Sequence, residues 1–218
     1  MTTVTEAVLS RRSIRSFLDR PVDNELIKIL LEKSSLSPSG GNLQPWQIYI
    51  INNESMSSFH KFQKEWSEAE LPEYQIYPEK LKEPYRTSRY EVGEQIYSSI
   101  GIKREDKTSR VDQMLKNFDF FGAPTALFCF IDKQMNLPQW SDLGMFLQTF
   151  MLLAQESNLD TCAQESWSLK QKMVSAFVNA DQDSMLFCGI SIGYKDEEAS
   201  INQFKRTRRP IDEWAKFI

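Results

Sequence analysis

The sequence is poor in the side chains that carry most acid–base, nucleophilic and zinc chemistry. Its 218 residues include one histidine, His60, and three cysteines. His60 falls in a helical surface pattern that favours a structural role, so hydrolytic or acid–base catalysis by side chains has little support. The cysteines, Cys129, Cys162 and Cys188, are widely spaced and form no CxxC pair, which argues against disulfides and a zinc site. We predict that they are buried packing residues.

Long apolar runs and a dinucleotide-binding fingerprint are also missing. The most apolar stretch, 144–154, is interrupted by Gln148 and Thr149 and is too short to span a bilayer. The polar residues before Arg11 do not resemble a signal peptide, and a net charge of −4 argues against general nucleic-acid binding. No Gly-x-Gly-x-x-Gly motif is present for tight binding of a nicotinamide cofactor. We therefore expect a cytoplasmic protein with neither a membrane nor a nucleic-acid partner.

The patterns that are present indicate one domain of mixed secondary structure. No linker, repeat or low-complexity segment divides the chain, so residues 1–218 are expected to form a single domain. Helical periodicity and capping residues predict helices over 3–11, 23–36, 54–66, 89–100, 104–118, 139–157 and 168–178. Aromatic and β-branched runs predict strands over 46–51, 124–131, 159–163 and 185–194. The sum is an α+β fold with four or five strands and more helix than sheet.

Two segments differ from the rest of this pattern. Pro72, Pro78 and Pro84 predict irregular structure over 71–89, which makes that segment a candidate lid. The predicted helix over 139–157 is apolar on almost all sides, so we expect it in the core or in a subunit interface. The chain thus has one candidate for a mobile cover and one for a contact between subunits.

Seven arginines are concentrated at the two ends of this net acidic chain. They are Arg11, Arg12, Arg15 and Arg20 near the start and Arg206, Arg208 and Arg209 near the finish. The planar donors of arginine match phosphate geometry and stay charged at any working pH. We predict that the termini meet around an anion. The alternative is a solvated basic turn whose arginines pair with acidic neighbours.

A second candidate site is the loop between the predicted helix that ends near residue 36 and the strand that begins at residue 46. Gly40 and Gly41 would let a ligand approach the backbone closely, and Ser39 and Asn42 offer short donors and acceptors. The alternative is that the helix-to-strand connection needs these turn residues for its own geometry.

Five motifs in the same order make the chain similar to the FMN-dependent nitroreductase family. They are Arg11-Arg12-Ser13-Ile14-Arg15, the loop 37–46, Gln164-Glu165-Ser166-Trp167, the strand 188–194 and the segment 206–210. Each motif is weak alone, but together they cover nearly the whole chain. The segments 101–106 and 117–124 resemble the subgroup that includes nitrobenzoate reductases.

The resemblance implies a nitroreductase-like α+β fold, in which a central, mixed and mainly antiparallel sheet is flanked by helices. It also implies a homodimer of the domain-swapped type, with two FMN sites at the subunit interface that are each built from both chains. The variable part of the family, a lid or helical insertion, would cover about residues 66–117 of this sequence.

The same resemblance implies a set of FMN-binding residues. They would be Arg11, Arg12, Ser13, Arg15, Pro38, Ser39, Gly40, Asn42, Gln164, Glu165, Ser166, Arg206 and Arg208. The arginines at 11, 206 and 208 would contact the phosphate, with Lys205 as the alternative to Arg206. Arg12 and Ser13 would lie along the phosphate and the ribityl chain. The members of the set between positions 38 and 42 would come from the partner subunit. The resemblance implies no metal.

Two of these residues would also be catalytic. Arg15 would reach the N1 and O2 edge of the isoalloxazine ring, where its guanidinium would stabilise negative charge. The backbone of Gln164, Glu165 and Ser166 would pass the flavin N5, with the Glu165 amide as the donor.

The activity implied is that of an NAD(P)H-dependent oxidoreductase, with NAD(P)H as a transient donor. It would reduce nitroaromatic or quinone-type acceptors by a ping-pong mechanism in which donor and acceptor use the same flavin face. Two alternatives stay open. The same scaffold could carry out reductive dehalogenation, or the chain could bind FMN without catalysis, for storage or sensing.

Overall fold

The computed structural model describes residues 2–218, which form seven α-helices and four β-strands. The helices are α1 (Val4–Ser10), α2 (Asn24–Ser34), α3 (Asn53–Glu65), α4 (Tyr85–Ser99), α5 (Lys107–Leu115), α6 (Leu137–Glu156) and α7 (Gln171–Val178). The strands are β1 (Gln47–Ile51), β2 (Thr125–Asp132), β3 (Asp160–Gln164) and β4 (Ser184–Gly193). The α+β class and the excess of helix over strand are confirmed.

Short polar side chains set the starts of several helices. The Thr3 hydroxyl accepts a hydrogen bond from the Glu6 amide at 3.2 Å, and the Asp23 carboxylate accepts one from the Glu25 amide at 2.9 Å. Asn52 caps α3 in the same way. Each cap satisfies an amide that has no partner inside its own helix.

The four strands form one sheet in the order β1-β2-β4-β3, and every neighbouring pair is antiparallel. Within residues 2–218 the one parallel pairing is an isolated bridge between Ser13 and Thr161, so the mixed character expected of the sheet is limited to that bridge. The bridge places the N-terminal arginine segment beside β3.

The central strand β2 is buried on both faces. Phe128 and Phe130 pack into a core shared with α3 and α7, whereas Leu127 and Ile131 pack into a second core with α2 and α6. Successive side chains of a strand point to opposite faces, so a strand with helices on both sides needs apolar residues at every position. This burial explains the continuous apolar run in the sequence.

The three cysteines are free and buried in these two cores, as predicted. Burial raises the pKa of the Cys129 thiol well above its usual range, because the charged thiolate is poorly solvated there. The Cys162 and Cys188 thiols are raised for the same reason. The cysteines are therefore packing residues with little thiolate character.

The apolar helix α6 supplies much of the second core, which confirms the core placement expected of the 139–157 pattern. Leu143, Phe146 and Phe150 are buried, whereas Met145 on the opposite face is 39% exposed. None of the helices within residues 2–218, α6 included, has the length and hydropathy that a membrane span requires.

The proline-rich segment ends earlier than predicted, because α4 begins at Tyr85 and not at residue 89. Pro84 directly precedes the first turn of α4, a position where its missing amide costs nothing. No helix or strand lies between α3 and α4. The Glu70 carboxylate accepts hydrogen bonds from the Lys172 and Met173 amides at 2.9 and 3.1 Å, which ties the segment to α7. Its role as a lid stays a prediction.

We predict that Gly189→Ala destabilises the protein by roughly 1 to 3 kcal/mol, the usual cost of overpacking a core. Gly189 pairs with Phe128, and a Cβ at this position would overlap the indole ring of the fully buried Trp167. Urea unfolding measures the change. The control is Gly93→Ala in α4, where nothing lies within 4 Å of the added methyl group and stability should be equal or higher. Equal stability of Gly189→Ala and the parent would contradict the prediction.

Candidate functional site

The two arginine-rich ends of the chain meet in space. The segment that follows α1 is bridged to β3 at Ser13, and the segment that follows the turn Ser200–Asn202 returns beside it. Together they enclose a cavity of about 160 Å³. We call it the arginine cavity, and it is lined by Arg11, Arg12, Ser13, Arg15, Val92, Asn202, Phe204, Arg206 and Arg208. The prediction that the termini meet is confirmed.

The arginine cavity carries a large excess of positive charge. Five arginines line it and no carboxylate does, and within residues 2–218 none of the five forms an ion pair. Burial lowers the pKa of Arg11, and the charges of Arg206 and Arg208 lower it further. Both effects disfavour the charged form of the Arg11 guanidinium. An anion in the cavity would offset them by stabilising that charge. A solvated basic turn with acidic partners does not fit this lining.

Arg206 also holds the two ends together. Its guanidinium donates to the carbonyls of Val8 and Leu9 at 2.9 and 2.7 Å, and to the carbonyl of Arg11. These are carbonyls at the C-terminal end of α1, which have no partners within the helix. Arg206 therefore has a structural task, and it lines the cavity whereas Lys205 does not.

Asn202 is a buried residue whose hydrogen bonds join the two ends of the chain, a role that the sequence did not predict. Its side-chain oxygen accepts a hydrogen bond from the Arg15 amide at 2.8 Å, and its amide donates to the carbonyls of Ser16 and Asp196 at 2.9 Å each. Its own carbonyl accepts from the Arg12 guanidinium at 3.2 Å. Asn202 thus fixes the backbone between Arg12 and Ser16, from which the cavity arginines project.

A second cavity, of about 210 Å³, lies on the other side of Arg15 and beneath α4 and α5. We call it the helix cavity, and it is lined by Arg15, Gly93, Ile96, Tyr97, Gln113, Met114, Asn117 and Phe121. Because Arg15 lines both cavities, the two are neighbours with a guanidinium between them. A ligand with a phosphate at one end and a polar ring edge at the other would fit this arrangement.

Gln113 is a polar side chain that lines the helix cavity and is only 8% exposed. A ligand edge that carries both a donor and an acceptor would pair with its amide. The sequence did not reveal Gln113, because α5 has the composition of an exposed helix.

Gln164 connects the end of β3 to the helix cavity. Its side-chain amide donates to the Asn117 carbonyl at 2.8 Å, and its oxygen accepts from the Ser191 hydroxyl at 2.6 Å. Glu165 and Ser166 follow at the start of a 3₁₀ turn. Burial of its carboxyl raises the pKa of Glu165. None of the three lines either cavity, so their predicted flavin contacts stay predictions.

The residues Pro38, Ser39, Gly40 and Asn42 also lie outside both cavities. Their loop is attached to α6, where the Gly40 amide donates to the Asp142 carboxylate at 3.2 Å. Gly41 has φ of 60°, a left-handed conformation that favours glycine, so the turn geometry accounts for that glycine. In one chain this loop is therefore not brought to the arginines, and its contribution to a partner's flavin site stays a prediction.

Comparisons with known proteins place the chain in a family. The family model described as "Nitroreductase family" matches residues 8–194. The chain is 32% identical over 219 residues to a chloronitrobenzene nitroreductase of Comamonas testosteroni, a match that covers 99% of this chain and 96% of the relative. It is also 32% identical over 212 residues to a 4-nitrobenzoate reductase of Pseudomonas putida, with 97% and 93% covered.

The fold is shared with a solved nitroreductase structure. The FMN and NADPH-dependent nitroreductase NfnB from Sphigopyxis sp. strain HMH matches with a TM-score of 0.90 and 39% identity, over 99% of both chains. The family match covers most of the chain, and these relatives match it almost from end to end. The chain belongs to the nitroreductase family.

Proposed function

We propose that this protein binds FMN and uses NAD(P)H to reduce nitroaromatic or quinone-type acceptors. The observation that carries the proposal is the arginine cavity, with five arginines and no carboxylate, beside a helix cavity that is lined by the Gln113 amide. The relatives that match nearly the whole chain are named for nitro reduction, which favours this activity over dehalogenation or FMN storage. The cytoplasmic location stays a prediction from the sequence.

The residues of the two cavities fit FMN in kind and in order. The phosphate would lie among Arg11, Arg206 and Arg208, with Arg12 and Ser13 along the phosphate and the ribityl chain. The polar edge of the ring would face Arg15 on the side of the helix cavity. Bound FMN would supply the hydride and electron transfer that no side chain of this protein can supply.

Two side chains and one backbone amide would set the electrostatic field around the ring. The Arg15 guanidinium would stabilise negative charge at the N1 and O2 edge, because a fixed donor in a partly dry site needs no reorganisation when charge develops. The Gln113 amide offers a donor and an acceptor to the same edge. The segment Gln164–Ser166 would present the Glu165 amide to N5.

The insertion between α3 and β2 would complete the site. Its helices α4 and α5 supply five of the eight residues that line the helix cavity, among them Gly93, Gln113 and Met114. We propose that residues 66–117, predicted as a lid, act as a cover fixed over the ring edge.

A homodimer would bring the loop 38–42 of one subunit to the flavin of the other. Large apolar side chains remain exposed on α1, α6 and the C-terminal segment, including Val8, Met145, Trp214 and Phe217, the last at 94%. A partner subunit that covers these side chains would remove their apolar surface from water. A domain-swapped arrangement, in which the last residues, 214–218, extend over the partner, would bury Trp214 and Phe217.

We predict that Arg208→Ala weakens FMN binding about 10- to 100-fold, the loss expected for one charge-assisted contact to phosphate. Stability without FMN should hardly change, because within residues 2–218 the Arg208 guanidinium donates only to the carbonyl of the adjacent Thr207. Arg206→Ala is the matched comparison, and it should lower both FMN affinity and stability because Arg206 also binds the end of α1. Flavin fluorescence titration and urea unfolding measure the two effects. Equal FMN affinity in Arg208→Ala and the parent would reject the phosphate assignment.

We predict that Arg15→Ala lowers the rate of flavin reduction by NADPH about 100-fold, since one fixed donor is worth roughly 3 kcal/mol in the transition state. Anaerobic stopped-flow absorbance follows the bleaching of the flavin, and addition of 4-nitrobenzoate should restore the oxidised spectrum. Circular dichroism should show a normal fold. A parent protein whose flavin is neither bleached by NADPH nor reoxidised by 4-nitrobenzoate would refute the proposed function.

We predict that the FMN-loaded protein sediments with the mass of two 25.4 kDa chains. Met145→Asp should shift it toward the monomer and weaken FMN binding, because a carboxylate would replace an apolar contact on α6. Leu71→Asp, at an exposed apolar residue outside the helices, is the control and should stay dimeric. A parent monomer that holds FMN at full affinity would contradict the shared site.

A further inference from the structure

A groove of about 580 Å³ lies between α4 and the C-terminal segment, outside the two cavities described above. We call it the outer groove, and it is lined by Pro84, Thr87, Ser88, Glu91, Val92, Arg206, Thr207, Arg208, Arg209, Pro210 and Glu213. It shares Val92, Arg206 and Arg208 with the arginine cavity, so the two are continuous. Its volume lies in the range of small-molecule sites, about 300 to 1,000 Å³.

The outer groove carries a net positive charge. It contains three arginines and two carboxylates, those of Glu91 and Glu213. Arg206 is occupied by the carbonyls at the end of α1, and Arg208 lines the arginine cavity as well. Of the three arginines, Arg209 lines the outer groove but not the arginine cavity. It is therefore the arginine that a second ligand would contact.

Arg209 is held in place without losing its donors. Its guanidinium lies 5.6 Å from the centre of the Tyr85 ring, and its nearest carboxylate oxygen, on Glu213, is 3.8 Å away. A cation over an aromatic ring is positioned, but the ring occupies none of its N–H groups. A distance of 3.8 Å is too long for a hydrogen bond. Thr87 and Ser88 add hydroxyl groups from the first turns of α4.

The order of the cavities indicates which part of a ligand would reach the groove. Arg15 joins the helix cavity to the arginine cavity, and Arg206 and Arg208 join the arginine cavity to the outer groove. The groove is therefore the farthest of the three from the proposed ring edge. A reduced nicotinamide donor must place its nicotinamide at the ring, so its opposite, adenosine end is the part that can extend to the groove.

We propose that the outer groove binds the adenosine 2′-phosphate end of NADPH, with Arg209 as the phosphate contact. This inference rests on the proposed function and extends it from NAD(P)H to a preference for NADPH. NADH lacks this phosphate and gains nothing from Arg209. The groove, α4 and the C-terminal segment thereby set the choice of donor.

The test measures binding of adenosine 2′,5′-bisphosphate to the FMN-loaded protein by isothermal titration calorimetry. The parent should bind it, and Arg209→Ala should bind it about tenfold more weakly, the usual loss for one charge-assisted hydrogen bond. Arg86→Ala is the matched control, because Arg86 lies in α4, which borders the groove, has a side chain that is 72% exposed and does not line the groove. Its Kd for the bisphosphate should match that of the parent within about twofold, because exposed surface charges contribute little to binding.

A second arm uses anaerobic flavin reduction by the two donors. Arg209→Ala should raise the Kd for NADPH about tenfold and leave that for NADH and for FMN unchanged. No binding of the bisphosphate by the parent, equal losses for NADPH and NADH, or a parallel loss of FMN affinity would each overturn the inference. A parent flavin that neither donor reduces would instead refute the proposed function, and the calorimetric result separates the two failures.

Discussion

The repulsion among five guanidinium groups in one cavity is the interaction on which the rest of this structure depends. No carboxylate lines that cavity, and burial together with the charges of Arg206 and Arg208 lowers the pKa of Arg11. The chain holds the arginines together through Asn202, the bridge from Ser13 to Thr161, and the carbonyls that bind Arg206. A bound phosphate would turn this repulsion into attraction. Anion binding should therefore stabilise the contact between the two ends of the chain.

The fold explains how the ends are brought to one place. The bridge at Thr161 attaches the N-terminal segment to β3, an edge strand of the sheet, and the C-terminal segment follows shortly after β4, the neighbour of β3. Helix α4 then runs along all three cavities, from Thr87 in the outer groove through Val92 to Tyr97 in the helix cavity. One inserted helix thus covers the whole length of the proposed cofactor and donor site.

Most elements could be predicted from the sequence because their burial leaves a local pattern. The apolar run of β2 and the apolar residues on almost all sides of α6 reflect burial in the core. The arginine clusters are visible because they stand out in a sequence whose net charge is negative. Gln113 and Asn202 could not be found in this way. A single amide has no periodicity, and its burial comes from contacts between distant segments. The start of α4 was missed because Pro84 interrupts the pattern yet fits the position before a helix.

The resemblance to nitroreductases supplied the roles of the arginines, whereas the structure adds the order of the three cavities along α4. That order depends on FMN being the ligand of the first two. The most direct measurement is the visible absorption spectrum of the purified protein, followed by analysis of the supernatant after denaturation. If FMN fills the first two cavities, the protein is yellow and releases one FMN per chain. A colourless protein that fails to take up added FMN would contradict it.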